Sequence, residues 1–351
     1  MSQLPSSEAV CIVPRLQGLG GPASFRARLV SGLAARGVPV VANPYDPACR
    51  AVLVIGGTKR IDELLKARRR DAGNGTGVRV VQRLNGMNWI HRRRYTGPLH
   101  FLRSEVNNFI LSFIRRYVAD RIVYQSQFAR TWWQTVYRQA PVPSTVIYNS
   151  VDLNTFTPIG PHRRPEDCFR VLMVEGHLGG GNEEGLRNAC ALAEAMQGRA
   201  SRPVELMVVG DVPDRLRVAL DRRHPGLVRW AGVVPRDAVP EVDRSAHVLF
   251  SADLNAACPN SVIEALACGL PVVSYATGSL PELIEGGAGL VVPWGSNFWK
   301  LEPPDIPVLA DAALQILSDQ ETFRAAARAR AEAAFGLETM VTRYLEVLLG
   351  D

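Results

Sequence analysis

Continuous apolar runs alternate with helix-periodic segments along nearly the whole chain. "AVCIVP" (9–14) is a short apolar run of the kind expected for a strand buried on both faces. In "GLGGPASFRARLVSGLAARG" (18–37), Phe25, Leu29 and Leu33 are spaced by four and share one helical face, and Gly37 supplies a stop. Further strands are predicted at 38–43, 51–57, 78–84, 121–126 and 144–150. Helices are predicted over "IDELLKARRR" and "QFARTWWQTVYRQ", with a long amphipathic one over 99–118. Periodicity then gives way to Pro and charge in "VDLNTFTPIGPHRRPEDC", which predicts a linker near 155–168. A second series follows, with strands at 169–176, 204–210, 227–232, 246–252, 269–275 and 289–293. Its helices fall at 183–197, 213–223, 306–318, 321–334 and 337–349.

Such alternation predicts an α/β fold of two doubly wound, parallel-sheet (Rossmann-like) domains. The boundaries expected are 1–160 for the first domain, 161–335 for the second and 336–351 for a closing helix. Domains of this kind facing each other bind ligands in a cleft at the carboxyl ends of both sheets.

A chain of 351 residues suits two domains. No apolar stretch nears the ~20 residues of a membrane span, and "MSQLPSSEAVCIVP" does not read as a signal peptide. The expected location is cytoplasmic. The six cysteines form no C-x-x-C pair, which favours reduced thiols over disulfides or zinc. Charge is split unevenly: residues 1–150 hold 22 Lys and Arg against 7 Asp and Glu, whereas 151–351 hold 18 against 27. The basic half would suit phosphates, an anionic membrane or nucleic acid, and the plainer reading is a solvated basic surface. No aromatic interleaving or recognised motif supports nucleic acid as a partner.

Two stretches carry candidate chemistry. "GLGGPA" matches G-x-G-x-x-A at Gly18, Gly20 and Ala23, but three residues separate Pro14 from the first glycine and no acidic residue ends the second strand. That argues against a dinucleotide oxidoreductase and leaves an anion-binding helix N-terminus. In "CPNSVIEALACGLPVVSYATGSLPEL" (258–283), a helix is expected to start at Asn260 or Ser261, either of which can cap it. Glu264 then lies one turn inside, among apolar neighbours, where a carboxylate must find partners such as a diol.

The segment 258–293 resembles the C-terminal signature of the family 4 glycosyltransferases (glycosyltransferases group 1), enzymes of the GT-B architecture. "VIYNSVDLNTFTP" (146–158) is similar to that family's interdomain stretch, and "FGLETMVTRYLEVL" (335–348) to its closing helix, which crosses back to the first domain. The resemblance implies a retaining, metal-independent transfer of a sugar from a nucleotide-sugar donor to a glycan, lipid-linked or small-molecule acceptor. It implies no cofactor beyond that co-substrate. Glu264 would hold the ribose hydroxyls, the backbone at Asn260, Ser261 and Val262 the sugar or diphosphate, and Val233 would lie by the base. Gly20 and Gly21 would approach the diphosphate from the first domain.

Three positions depart from the family pattern. Ala256 stands where a first Glu is common, Asn85 where a His precedes Gly86, and "VEGHLGGGNEEGL" (174–186) offers His177 in place of an Arg and a Lys. Gly179, Gly180 and Gly181 would compensate as a backbone nest, and Arg83 as the missing charge. Glu264, Asn85 and Arg83 are thus the catalytic candidates. The alternative is a catalytically degenerate sugar-nucleotide or glycan-binding protein. Arg92, Arg93 and Arg94 are the candidates for an anionic acceptor or a peripheral contact with the inner membrane face.

Overall fold

The computed structural model describes residues 8–16, 18, 20–69, 77–179 and 183–350. It divides into two units, Met1–Ser150 with Leu337–Asp351, and Val151–Gly336.

The first unit runs β1 (Ala9–Val13), α1 (Gly21–Ala35), β2 (Val40–Val41), β3 (Cys49–Ile55), α2 (Ile61–Arg69), β4 (Arg79–Leu84), α3 (Pro98–Phe113), β5 (Arg121–Tyr124), α4 (Gln127–Tyr137) and β6 (Ser144–Val146). All pairings are parallel, in the order β2-β1-β3-β4-β5-β6. Period-two alternation divides the strands between two cores. Val10, Ile12, Leu53 and Ile55 pack with Phe25, Leu29 and Leu33 of α1. Cys11, Val52 and Val54 pack with Leu64 and Ala67 of α2.

The second unit runs β7 (Phe169–His177), α5 (Glu183–Met196), β8 (Val204–Asp211), α6 (Asp214–Arg223), β9 (Val228–Gly232), α7 (Val239–Arg244), β10 (Val248–Ser251), α8 (Asn260–Ala267), β11 (Val272–Tyr275), α9 (Leu280–Leu283), β12 (Gly289–Val292), α10 (Ile306–Ser318) and α11 (Gln320–Ala334). Its sheet is again parallel, ordered β12-β11-β10-β7-β8-β9. The last helix, α12 (Leu337–Leu349), returns to the first unit. There the Tyr344 ring packs tilted against Phe25, with centroids 5.2 Å apart, and Val341 occupies the space that a side chain at Gly32 would need.

The division falls at Ser150, earlier than the boundary at 160 expected from the loss of periodicity. Arginines of the second unit hold the intervening segment by its backbone. Arg328 donates to the carbonyls of Phe156 at 2.8 Å and Leu153 at 3.2 Å, and Arg244 to those of Thr157 at 3.1 Å and Pro161 at 3.2 Å. An aperiodic segment can therefore be fixed structure when side chains satisfy its carbonyls.

One buried histidine couples this unit to pH. His247 accepts the Arg170 N–H at Nδ1, 3.0 Å away. Burial, reinforced by Arg164, Arg324, Arg170 and Arg202, lowers its pKa from 6.5 to about 4. The unfolded chain thus takes up a proton that the folded one refuses. This contribution to stability is complete above pH 6.5 and is lost as pH falls toward 4. Urea unfolding between pH 7 and 4.5 should show a stability loss that His247→Gln reduces; equal slopes in both proteins would exclude His247 as the source.

Candidate functional site

In a doubly wound sheet, the strand order reverses at one point, and the loops on either side part to leave a crevice at the carboxyl ends. In the second unit that point lies between β7 and β10. Three loops converge there. A side chain at Gly185, in the first turn of α5, would press on Ala252 beyond β10, at 3.0 Å from its Cβ. Gly278, beyond β11, has φ of 60° and lies so close to the 255–256 backbone that a Cβ would stand 2.6 Å from the Ala256 nitrogen and oxygen. The Ser279 N–H donates to the Ala256 carbonyl at 2.9 Å. Gly278 therefore allows both the left-handed turn and the close approach.

This junction encloses polar groups without protein partners. Asn255 is buried with φ of 60°, and neither its amide oxygen nor its amide nitrogen meets a hydrogen-bonding group among the described residues. The hydroxyls of Ser251 and Ser279 are likewise buried and unpaired. An unpaired buried polar group costs about 1–3 kcal/mol, so three such residues at one strand end suit a polar ligand.

Two carboxyls complete the junction. Glu175 lies in a bulge of β7, where a Cβ at Gly210 of β8 (φ 143°) would fall on the Glu175 carbonyl. Burial, together with the charge of Asp253 just past β10, raises the Glu175 carboxyl well above the usual carboxylate range. Asp253 itself is exposed, so its place here rests on its proximity to Glu175. Sequence reasoning passed over both acids and the burial of Asn255, because local periodicity carries no signal for a polar side chain enclosed by three loops.

The sequence candidates separate. On α8, Asn260 opens the helix, Ser261 is half-buried and Val262 is fully buried, which leaves Val262 its backbone to offer. Neither Asn260 nor Ser261 caps the helix with its side chain: Pro259 occupies the N-cap position and has no side-chain acceptor. Glu264 is half-buried, and its charge, after burial, helps raise the carboxyl of Asp243 on α7. His177 bonds Asp211 at 2.9 Å, across β7 and β8. Gly179 has no room for a side chain, since a Cβ would sit 2.9 Å from Pro213 and 3.0 Å from His177. Gly180 and Gly181 lie outside the described residues. Val233 is exposed at the end of β9, farther along the sheet.

In the first unit, Gly20 and Gly21 start α1 just beyond β1, where that sheet also reverses. Arg83 corrects an expectation. It is 2% exposed, its guanidinium lies 3.7 Å over the Phe25 ring, and it donates to Asn149 Oδ1 at 2.6 Å. Its charge is committed to the interior rather than offered to a phosphate. Asn85 is half-buried, with its backbone held by Trp133 Nε1 at 2.7 Å. Arg92 pairs through two nitrogens with Glu105, at 2.6 and 2.7 Å, while Arg93 is exposed.

Residues 170–319 match the family described as Glycosyl transferases group 1. The second unit is a group 1 glycosyltransferase domain. Among curated proteins, the chain is 32% identical over 148 residues to 2-deoxystreptamine N-acetyl-D-glucosaminyltransferase of Streptomyces fradiae, covering 41% of this chain and 33% of that one. It is also 32% identical over 181 residues to O-antigen chain mannosyltransferase B of Escherichia coli, covering 48% of this chain and 45% of that one. The chain thus spans less than half the length of these curated relatives. Among solved structures, sucrose-phosphate synthase from Thermosynechococcus elongatus superposes with a TM-score of 0.74 at 16% identity, over 97% of this chain and 98% of that one. Anabaena HepE in complex with UDP-glucose gives 0.67 at 16% identity, over 97% and 99%. The fold is the GT-B architecture that the sequence suggested, and the crevice of the group 1 domain is its candidate site.

The raised Glu175 carboxyl yields a test of this geometry. Above pH 4.5, an unfolded Glu loses its proton while Glu175 keeps it, so its contribution to stability declines as pH rises. Glu175→Gln, which is neutral at every pH, should reduce that decline in denaturant titrations. Parallel curves for variant and parent would show that Glu175 is ionised in the folded protein.

Proposed function

We propose that the chain is a retaining glycosyltransferase, of metal-independent hexosyltransferase type, that takes a sugar from a nucleotide-sugar donor. The observation that carries this reading is the set of buried, unpaired groups at Ser251, Asn255 and Ser279, beside the start of α8 in a group 1 glycosyltransferase domain. A hexose presents hydroxyls that would satisfy them, and the backbone of the first turn of α8, at Asn260, Ser261 and Val262, would meet the diphosphate at the positive end of the helix dipole. Glu264, one turn further along, would accept from the ribose hydroxyls. HepE has been solved with UDP-glucose, which supports this class of donor.

In the transfer, the bond between the anomeric carbon and the diphosphate oxygen breaks as an acceptor hydroxyl forms the new glycosidic bond and releases its proton. The nucleoside diphosphate leaves with the bonding pair. In the first unit, the backbone at Gly20 and Gly21 would bind an anionic group at the start of α1, and Asn85 would take the place of the family's histidine. Asn255 would serve the hexose in place of the glutamate replaced by Ala256. For the acceptor, a glycan, lipid-linked or small-molecule alcohol, Arg93 and Arg94 would receive an anionic group, with Arg92 tied to Glu105.

A second reading is favoured by Glu175. An acid stands on β7 just ahead of the loop where the family carries cations, which would suit a domain that retains sugar-nucleotide binding without transfer. One assay separates the two: release of nucleoside diphosphate from a panel of nucleotide sugars, with and without acceptors. Turnover with any donor supports the transferase, and tight binding without turnover supports the degenerate binder. Glu264→Ala should weaken nucleoside diphosphate binding by ~1–3 kcal/mol in calorimetric titration. Unchanged affinity in the folded variant would remove Glu264 from the site.

A further inference from the structure

Helix α3 is turned the wrong way round for a soluble protein. Its face toward the first unit carries Ser104, Asn108 and Leu111, all buried, and Asn108 is tied to the Asn88 backbone by bonds of 3.0 and 2.8 Å. Leu99 is 84% exposed, Leu102 61%, Val106 46% and Phe109 66%. At 100° per residue, these four fall within an arc of about 80°, centred roughly opposite the buried face, and Phe113 on the same line is half-buried against the core that holds Val54 and Leu64. Aromatic contacts extend the stripe past the helix end, from Phe109 to Phe113 at 6.1 Å and from Phe113 to Tyr117 at 5.2 Å. Tyr95, just ahead of the helix, is 88% exposed. Water is the costliest place for such a stripe, and contiguous exposed apolar surface of this kind marks an interaction site.

The charges beside the stripe specify what covers it. Exposed Arg103 borders it along the helix, exposed Arg116 lies near its carboxyl end, and exposed Arg93 precedes it. From 89 to 117 the chain has one acidic residue, Glu105. That carboxylate is neutralised by Arg92 at 2.6 Å and hydrogen-bonded to His91 at 2.7 Å, and these hydrogen bonds, Arg92's first, hold its pKa at about 2. No described helix is long and apolar enough to cross a membrane. An apolar face flanked by cations, on a helix too short to span, is the pattern that lies in the interface of an anionic bilayer.

We propose that α3 docks the protein on an anionic lipid surface, with Leu99, Leu102, Val106 and Phe109 entering the acyl boundary and Arg103 and Arg116 at the headgroups. The inference stands on the first unit alone and does not depend on the donor reading. The test is co-sedimentation of the full chain with vesicles of phosphatidylcholine, with or without phosphatidylglycerol. The parent should bind the mixed vesicles, bind pure phosphatidylcholine weakly, and be released by high salt. The triple variant Leu99→Ser, Leu102→Ser, Phe109→Ser changes exposed positions and should keep the parent's thermal midpoint while losing about tenfold or more of its vesicle partition. Arg103→Gln with Arg116→Gln should lose binding to mixed vesicles and so provides a second variant that leaves the apolar stripe intact. Equal sedimentation of parent and both variants, or no preference for anionic lipid, would overturn the proposal. So would a lipid-free dimer that the triple serine variant dissociates, since the stripe would then pair two copies of the chain.

Discussion

The reversal of strand order between β7 and β10 is the constraint on which the candidate site depends. Parallel strands need crossover helices, and a crossover that changes direction leaves two adjacent strand ends whose loops diverge. Side chains there are enclosed by the loops that follow the strands rather than by the sheet alone. Asn255, Ser251 and Ser279 are enclosed there without being paired. Gly185 and Gly278 let the loops close in around them, since a Cβ at either would meet Ala252 or the backbone at Ala256.

The same crevice gathers charge of one sign. Glu175 in β7 is half-buried and Asp253, just past β10, is exposed, and burial with the nearby Asp253 charge favours the protonated form of Glu175. A protonated carboxyl donates a hydrogen bond and does not repel a diphosphate, so acid at this place is compatible with an anionic ligand while the proton is held. Gly179, where any side chain would strike Pro213 or His177, keeps the backbone beyond β7 tight against the start of α6.

The fold was legible because buried parallel strands read as unbroken Val, Ile and Leu runs and amphipathic helices as a period near four. The closing helix at 337–349 and the helix at 306–318 match their expected ranges. Helix α7 was missed: its six residues include Pro240 and three charges, too short and too polar to show a period. Pro259 displaced the expected side-chain cap, a matter of one residue in helix register. Arg83 looked like an available cation, because a strand's sequence does not say whether an aromatic ring and an amide wait on its inner face. For α3 the apolar stripe was legible, but its direction was not. Ser104 and Asn108 are buried, and Asn108 is held by hydrogen bonds to the Asn88 backbone that only the folded chain supplies.

Hydrogen–deuterium exchange of the full chain, with and without a saturating nucleoside diphosphate, tests the central claim most directly, because it reports where the ligand lands without requiring turnover. The account predicts slowed exchange in 175–179, 253–264 and 277–282, the three loops at the β7–β10 reversal and the first turns that follow them. Protection confined to other segments, with these three unchanged, would contradict it.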